Sequence, residues 1–368
     1  MNEAVILEQT ALFTPFGDLA QTLDALMRGE CAIRPGPCFE VPTAYAPFTD
    51  ERLRDIRYCA HQLAVPLDLS RIDQAATVLI GCCAKGDIHS LEDVVSGTTQ
   101  KADTSPLLDL QTRRAAEAIG LTPSQTLSIS NACASGAIAL EVAKEMLEDG
   151  RCAHAVLFGI ESLCRFVATG FNALSALSPD GARPFDAKRN GLSLGETAVV
   201  AVVSRRKAAA GNTIIAGAGS SNDANHRTGP SRTGDGLYRA ARAALSDASV
   251  EPDAIGAVKC HGTATPYNDA MEAKAVNRLF GDDCPPCVSF KGAFGHTSGA
   301  GSLMETVVAA ECLKRRMLPP TVRYDEHGVD ERIAVSSITQ AIEKPTVLCL
   351  SAGFGGVNAG IVVSEACA

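Results

Sequence analysis

Apolar positions along this chain follow two rhythms. Short β-branched and apolar runs recur, and between them lie stretches with apolar residues three and four apart. The runs predict strands over residues 4–7, 75–83, 125–129, 154–160 and 197–203, then over 213–218, 255–260, 288–290, 347–351 and 359–363. The helical spacing predicts helices over 21–28, 51–63, 107–119, 137–147, 236–248, 269–280 and 300–313. In the first of these Leu23, Leu26 and Met27 share one face, and Gly120 reads as the C-terminal cap of the third. Residues 96–104 are polar and predict a loop. Strands that alternate with helices imply α/β layers with mainly parallel sheets. The second half repeats the element order of the first. The division falls in the basic, Ala-rich segment 204–211, which gives segments 1–205 and 206–368.

Three strand ends carry candidate chemistry. Ser130-Asn131-Ala132-Cys133-Ala134-Ser135-Gly136 is a small-residue turn between a predicted strand and a predicted helix. Small neighbours allow a sharp bend and close approach of a substrate. A helix N-terminus offers free N–H donors and partial positive charge, which favour thiolate at Cys133 and could hold an oxyanion. His261 follows a predicted strand and precedes Gly262, Thr263, Ala264 and Thr265. The carboxyl end of a strand in an α/β protein faces the crevice where ligands bind. His296 ends Lys291-Gly292-Ala293-Phe294-Gly295-His296, just before another small-residue turn and helix. Each residue alone reads as structural; the three turns together read as a nucleophile with two histidines.

Composition narrows the partners. A net charge of -9 argues against nucleic acid. An acidic protein partner would need only a local basic patch. Arg52, Arg54, Arg57, Arg113 and Arg114 are candidates, with a solvated face as the plainer reading of each. No apolar run is long enough to span a bilayer. Residues 1–10 hold two acids and no Lys or Arg, unlike the basic start of a secretory signal. The 14 cysteines are scattered, most of them in apolar contexts (Cys152, Cys260, Cys312, Cys349), which fits free thiols in a reducing cytoplasm. Cys82-Cys83 read as buried strand-end residues. Cys284-Pro285-Pro286-Cys287 has metal or redox spacing, but one pair is half a zinc site, and a Pro-stiffened loop is the plainer reading. No metal is expected.

Asn131-Ala132-Cys133-Ala134-Ser135-Gly136 resembles the active-site segment of β-ketoacyl synthases of the thiolase superfamily. His261-Gly262-Thr263-Ala264-Thr265-Pro266 with Asn268, Asp269 and Glu272 is similar to that family's first histidine motif. Lys291 with Gly295-His296 and Gly299-Ala300 is similar to its lysine and second histidine motif. Gly353-Phe354-Gly355-Gly356-Val357-Asn358 resembles its C-terminal glycine loop. Arg183-Pro184-Phe185-Asp186, with Arg189-Asn190-Gly191 and Gly195-Glu196, is a fifth similarity. Five ordered motifs are specific together.

The resemblance implies a thiolase-like five-layered αβαβα fold of two pseudo-repeated halves, usually dimeric. It implies decarboxylative Claisen condensation. Cys133 would accept an acyl group from a carrier-bound thioester, and His261 and His296 would hold the malonyl thioester carbonyl as CO₂ leaves. Lys291 would order His296 and the local charge. Backbone N–H groups of Cys133 and Phe354 would bind the oxyanion, and Phe354 would gate the pocket. Thr263 and Thr265 would bind phosphopantetheine. No cofactor is required, because acyl carrier protein brings the phosphopantetheine arm. The partners would be that carrier, malonyl and acyl thioesters, and a second copy or a related synthase chain.

Three features depart from the family pattern. Ala352 stands where an aromatic residue is usual, which opens space beside Phe354. The segment between Leu177 and Arg183 is short. Glu8-Gln9-Thr10 replaces a Thr-Gly-x-Gly turn. Fatty-acid, polyene and type II polyketide synthesis all stay open. So do two other readings: a chain-length-factor-like partner subunit, and a thiolase-type acyl-CoA enzyme with Cys349 or Cys287 as a second thiol.

Overall fold

The computed structural model describes residues 3–98 and 108–366. Most of the loop expected over 96–104, and Leu107 at the start of an expected helix, lie outside them. Ten strands form one continuous path: β1 Glu3–Thr14, β2 Thr77–Cys82, β3 Gln125–Ile129, β4 His154–Glu161, β5 Thr197–Lys207, β6 Thr213–Asn222, β7 Ala257–Lys259, β8 Cys287–Val288, β9 Thr346–Gly353 and β10 Val357–Glu365. Their spatial order is β3-β2-β4-β5-β1-β6-β10-β9-β7-β8. Outward from the centre, both sides therefore run first, fifth, fourth, second, third. The internal repeat is visible in the topology itself. The sides join where β1 meets β6 over two register pairs, Ile6 with Ile214 and Leu7 with Thr213.

The sheet is mixed, not mainly parallel. Only β2 with β3 and β4, and β7 with β8 and β9, pair in parallel; the central strands are antiparallel. A strand buried on both faces reads as a continuous apolar run, and such a run does not encode direction. β1 is also longer than the predicted 4–7. A register shift between Leu7 and Gln9 marks a bulge, which breaks the alternation there.

Helices α1 Ile56–Ala64 and α2 Leu108–Ile119 cover the outer face of the β1–β5 side. Helices α5 Asp235–Asp247 and α6 Pro266–Phe280 cover the outer face of the other side. Between the two sides lie α3 Ser135–Glu148 and α7 Ser298–Lys314, each touching strands of both. This is the five-layered αβαβα arrangement. Of the 17 residues of α7, 15 are buried on all faces, as a central-layer helix requires. A Cβ on Gly136 of α3 would lie 2.4 Å from the Leu303 backbone nitrogen of α7, so only glycine permits this approach.

The element ends matter most for the site. β3 ends at Ile129, four residues before Cys133, and β7 ends two residues before His261. The strand expected over 288–290 stops at Val288, and Phe290 instead leads into a short helix, Lys291–Phe294. His296 sits between that helix and α7. No helix among the described residues is long and apolar enough to cross a membrane.

Candidate active site

Cys133 lies in a tight turn, Ala132–Ala134, that feeds directly into α3. Ala132 holds φ +49°, a left-handed conformation that costs a non-glycine residue about 1–2 kcal/mol. Ser135 clamps the turn: its hydroxyl accepts from Asn131 N at 2.9 Å and donates to Ala132 O at 2.6 Å. The end of β9 closes over this elbow. A Cβ on Gly353 would lie 3.2 Å from Cys133 N and 3.3 Å from Ala134 N. The Phe354 backbone N–H is directed at the Cys133 sulfur. The Phe354 ring, 36% exposed, packs against Phe171 of helix α4 Arg165–Ala173, with centroids 5.4 Å apart.

His296 meets Cys133, and His261 stands beside His296 on the same cavity. His296 Nε2 lies 3.0 Å from Cys133 Sγ. The two imidazoles stand edge to face, 5.3 Å apart at 89°. Backbone contacts fix each ring. His261 N and Gly262 N donate to the two carboxylate oxygens of Glu272, at 2.6 and 2.7 Å. His296 N donates to Ser193 O at 2.6 Å, and Gly195 N donates to His296 O at 3.0 Å. The residues 183–196 similarity is thus partly a bracket for the second histidine. Asp186 in that stretch accepts from the backbone of Lys188, Asp325 and Glu326.

Lys291 reaches a different histidine from the one expected. Its Nζ lies 3.5 Å from His261 Nδ1, whereas His296 Nδ1 is buried without a hydrogen-bond partner. Lys291 also donates to Glu305 Oε1 at 2.5 Å. A second buried lysine, Lys259, donates to Glu305 Oε2 at 2.9 Å and to Leu350 O at 2.6 Å. One carboxylate on α7 therefore holds two ammonium groups in a dry interior. Burial lowers the proton affinity of Lys291 despite Glu305. Burial opposes the charge of Lys259 too, but there Glu305 wins and the affinity rises. Burial lifts Glu272 to about 7 and Asp269 to about 6.

The expected thiolate at Cys133 is corrected. Burial pushes its pKa up to about 12, against weaker opposing pulls from Lys291 and the Phe354 N–H. The helix terminus and Lys291 both favour thiolate, and desolvation outweighs them. Burial, then the charge of Lys291, holds His296 down at about 3, and the same two causes hold His261 well below its ordinary range. The resting pair is neutral thiol with neutral imidazole. Iodoacetamide alkylation of Cys133 should therefore keep accelerating from about pH 7 to about pH 10, because a raised thiol pKa places thiolate formation at high pH. A flat profile over that window would mean a preformed thiolate–imidazolium pair.

These groups open on a cavity of about 370 Å³. Thr263 and Thr265 line it, their hydroxyls 3.0 Å apart, as do Ala352 and Phe354. Cys349 and Cys287 are buried elsewhere. The five arginines considered as a patch are engaged with carboxylates or equivalent partners: Arg52 with Asp50, Arg54 with buried Glu196, Arg57 with Glu117, Arg113 with Asp109 and Arg114 with Asp87. They form a paired face, not a free basic patch. Lys259 and Glu305 were not singled out from sequence. The available signal was one acid inside the otherwise apolar start of α7, a residue that can be buried only with a partner.

Sequence profiles agree with this geometry. The profile of the β-ketoacyl synthase N-terminal domain matches residues 66–209, and that of the C-terminal domain matches residues 212–325. The chain belongs to the β-ketoacyl synthase family. It is 35% identical over 252 residues to 3-oxoacyl-[acyl-carrier-protein] synthase 2 of Rhizobium meliloti (strain 1021), covering 64% of this chain and 60% of that one. The chain spans about 60% of the length of the curated synthases it matches first. Among solved structures, a β-ketoacyl synthase from Burkholderia phymatum STM815 superposes with a TM-score of 0.88 at 25% identity, covering 99% of this chain and 100% of that one. A ketosynthase in complex with its chain length factor from Xenorhabdus doucetiae shares the fold, with a TM-score of 0.84, 23% identity and coverage of 99% and 98%. Within the family frame, the Cys133 turn falls in the N-terminal domain match and both histidines in the C-terminal one.

Proposed function

We propose that this β-ketoacyl synthase homologue carries out decarboxylative condensation of a malonyl thioester with an acyl group held on Cys133. The carrying observation is the Cys133–His296 contact of 3.0 Å, with His261 beside it on one cavity. Neutral His296 takes the thiol proton as Cys133 attacks the incoming acyl thioester, then returns it to the leaving phosphopantetheine thiolate. Cys133 N–H and Phe354 N–H face the position of the oxyanion. Lys291 donates to His261 Nδ1, which leaves the Nε2 proton of His261 free to meet the malonyl thioester carbonyl. Once His296 has returned that proton, a shift of its remaining proton from Nδ1 to Nε2 supplies a second donor. As CO₂ leaves, both stabilise the enolate oxygen. The enolate carbon then attacks the acyl carbon, and Cys133 departs as thiolate and regains a proton.

Thr263 and Thr265 line the entrance and suit the amides of a phosphopantetheine arm brought by acyl carrier protein. The scheme calls on no metal and no organic cofactor. Free thiols and carrier thioesters fit the cytoplasm, and a second copy or a related chain fits as the partner subunit. Retention of Cys133 beside a histidine favours a catalytic subunit over a chain-length-factor role. The absence of Cys349 and Cys287 from the cavity lining disfavours a thiolase pairing. Incubation with a panel of acyl-carrier thioesters followed by intact-mass measurement should show one acyl increment on the protein, and addition of malonyl-carrier should then release CO₂. Thiolytic cleavage by free coenzyme A without CO₂ release would reverse the assignment.

A further inference from the structure

The sequence pair Cys284-Pro285-Pro286-Cys287 has no part in the condensation, yet the fold arranges it for chemistry. Cys284 Sγ lies 3.7 Å from Cys287 Sγ, with both thiols free. Cys287 is fixed. It starts β8, pairs with Val258 in parallel register, and its N–H donates to Ala334 O at 2.9 Å. Its side chain is 1% exposed. Cys284 is half-buried at the end of a short turn, Gly281–Asp283, and so has both access to solvent and room to move. Two prolines between the cysteines remove two backbone donors and hold the loop stiff, which keeps the sulfurs close without a helix. The third neighbour is Cys260, a free thiol buried behind Cys287. Among the described residues no three His, Cys, Asp or Glu side chains converge to hold a metal ion, so the thiols here lack the donor set of a zinc site.

We propose that Cys284 and Cys287 form a redox-active dithiol that exchanges with small-molecule disulfides. The more accessible Cys284 is the attacking sulfur. The hydrogen bond from Cys287 stabilises the Cys284 thiolate and holds that thiol below its ordinary range, the asymmetry seen in Cys-x-x-Cys pairs. Cys284 thiolate attacks one sulfur of a disulfide RSSR, forming a mixed disulfide and expelling RS⁻. Cys287 then loses its proton and attacks the Cys284 sulfur, expelling the second thiolate. Two protein thiols are oxidised to one disulfide while RSSR is reduced to two RSH. The sulfurs must close from 3.7 Å to about 2.05 Å, which requires the half-buried Cys284 side chain to turn toward Cys287.

The test uses the reduced full-length chain and oxidised glutathione, followed by capping with N-ethylmaleimide and tryptic mapping. Residues 279–291 form one tryptic peptide that holds both cysteines. The expected result is joint loss of two maleimide labels from this peptide, with its mass lighter by two hydrogens. Cys287→Ser should instead trap glutathione on Cys284. Cys284→Ser alters a half-buried position and should leave Cys287 fully labelled, which keeps the assignment testable if the buried variant fails to fold. Full labelling of both cysteines while exposed Cys31 is consumed overturns the proposal. A disulfide joining this peptide to the one holding Cys260 overturns the assigned pair.

Discussion

Cys133→Ala should lose all acyl-enzyme and lower condensation on the order of 10⁴-fold or more, the scale seen when a covalent nucleophile is deleted. The cause is local. The alanine keeps the elbow, the Ser135 clamp and the oxyanion donors, which are backbone groups. The melting transition should therefore stay close to that of the parent protein. Because His261 and His296 remain, release of CO₂ from malonyl-carrier should continue while carbon–carbon bond formation stops. Intact mass, CO₂ release and product formation, measured side by side, separate these steps. An acyl increment still present on the alanine variant would remove Cys133 from the scheme. Equal loss of CO₂ release and condensation would show that the histidines act only after acylation.

Glu305→Gln should be strongly destabilising, although it changes a single atom of the side chain. The carboxylate sits between Lys259 and Lys291, at 2.9 and 2.5 Å, and all three side chains are at most 2% exposed. Removing the anion leaves two buried ammonium groups without the carboxylate that touches them both, and Glu272 acts on them only at longer range. Breaking a buried ion network in this way costs about 3–5 kcal/mol. The contribution of Lys259 to the pH dependence should change sign, joining that of Lys291, whose proton affinity burial already lowers. In the parent protein the raised affinity of Lys259 adds stability below the unfolded lysine pKa, and that contribution fades as pH rises through the folded value. Without Glu305 both lysines bind protons more weakly folded than unfolded, so the variant gains stability as pH rises. Urea midpoints at about pH 7 and about pH 9 read the loss and the gain of the variant with pH, while the Lys259 contribution of the parent stays constant over that window. Midpoints equal to those of the parent at both values would show that the lysines find other compensation. Lys259→Met combined with Glu305→Gln should recover part of the loss, because one buried charge is then replaced by a hydrophobic stem.

The positions of strands and helices were largely legible because burial imposes periodicity. The three turns bearing Cys133, His261 and His296 were legible because small residues mark sharp bends. Strand direction was not, since β5 and β2 carry equally apolar runs yet pair antiparallel and parallel with β4. The state of Cys133 was also hidden. The turn suggested a helix dipole, while the opposing desolvation comes from α7, β9 and the histidine loops, far away in sequence. The link from Lys291 to His261 rather than His296 depends on a separation in space that spacing along the chain does not encode. Glu305 was legible only as an anomaly, a charge where the pattern called for an apolar residue.

The contact between Gly136 and Leu303 sets a tolerance for the chemistry. The nucleophile rides at the start of α3, and His296 is two residues before α7, so the sulfur–imidazole gap is spanned by the packing of those two helices. A slip of α7 along α3 by one ångström would change that gap by a comparable distance, enough to break a 3.0 Å contact while the sheets stay intact. The alignment of sulfur and imidazole is in this sense a finer reading of the central layer than melting is: the protein can lose the proposed working geometry through misregistration of two helices long before its core comes apart.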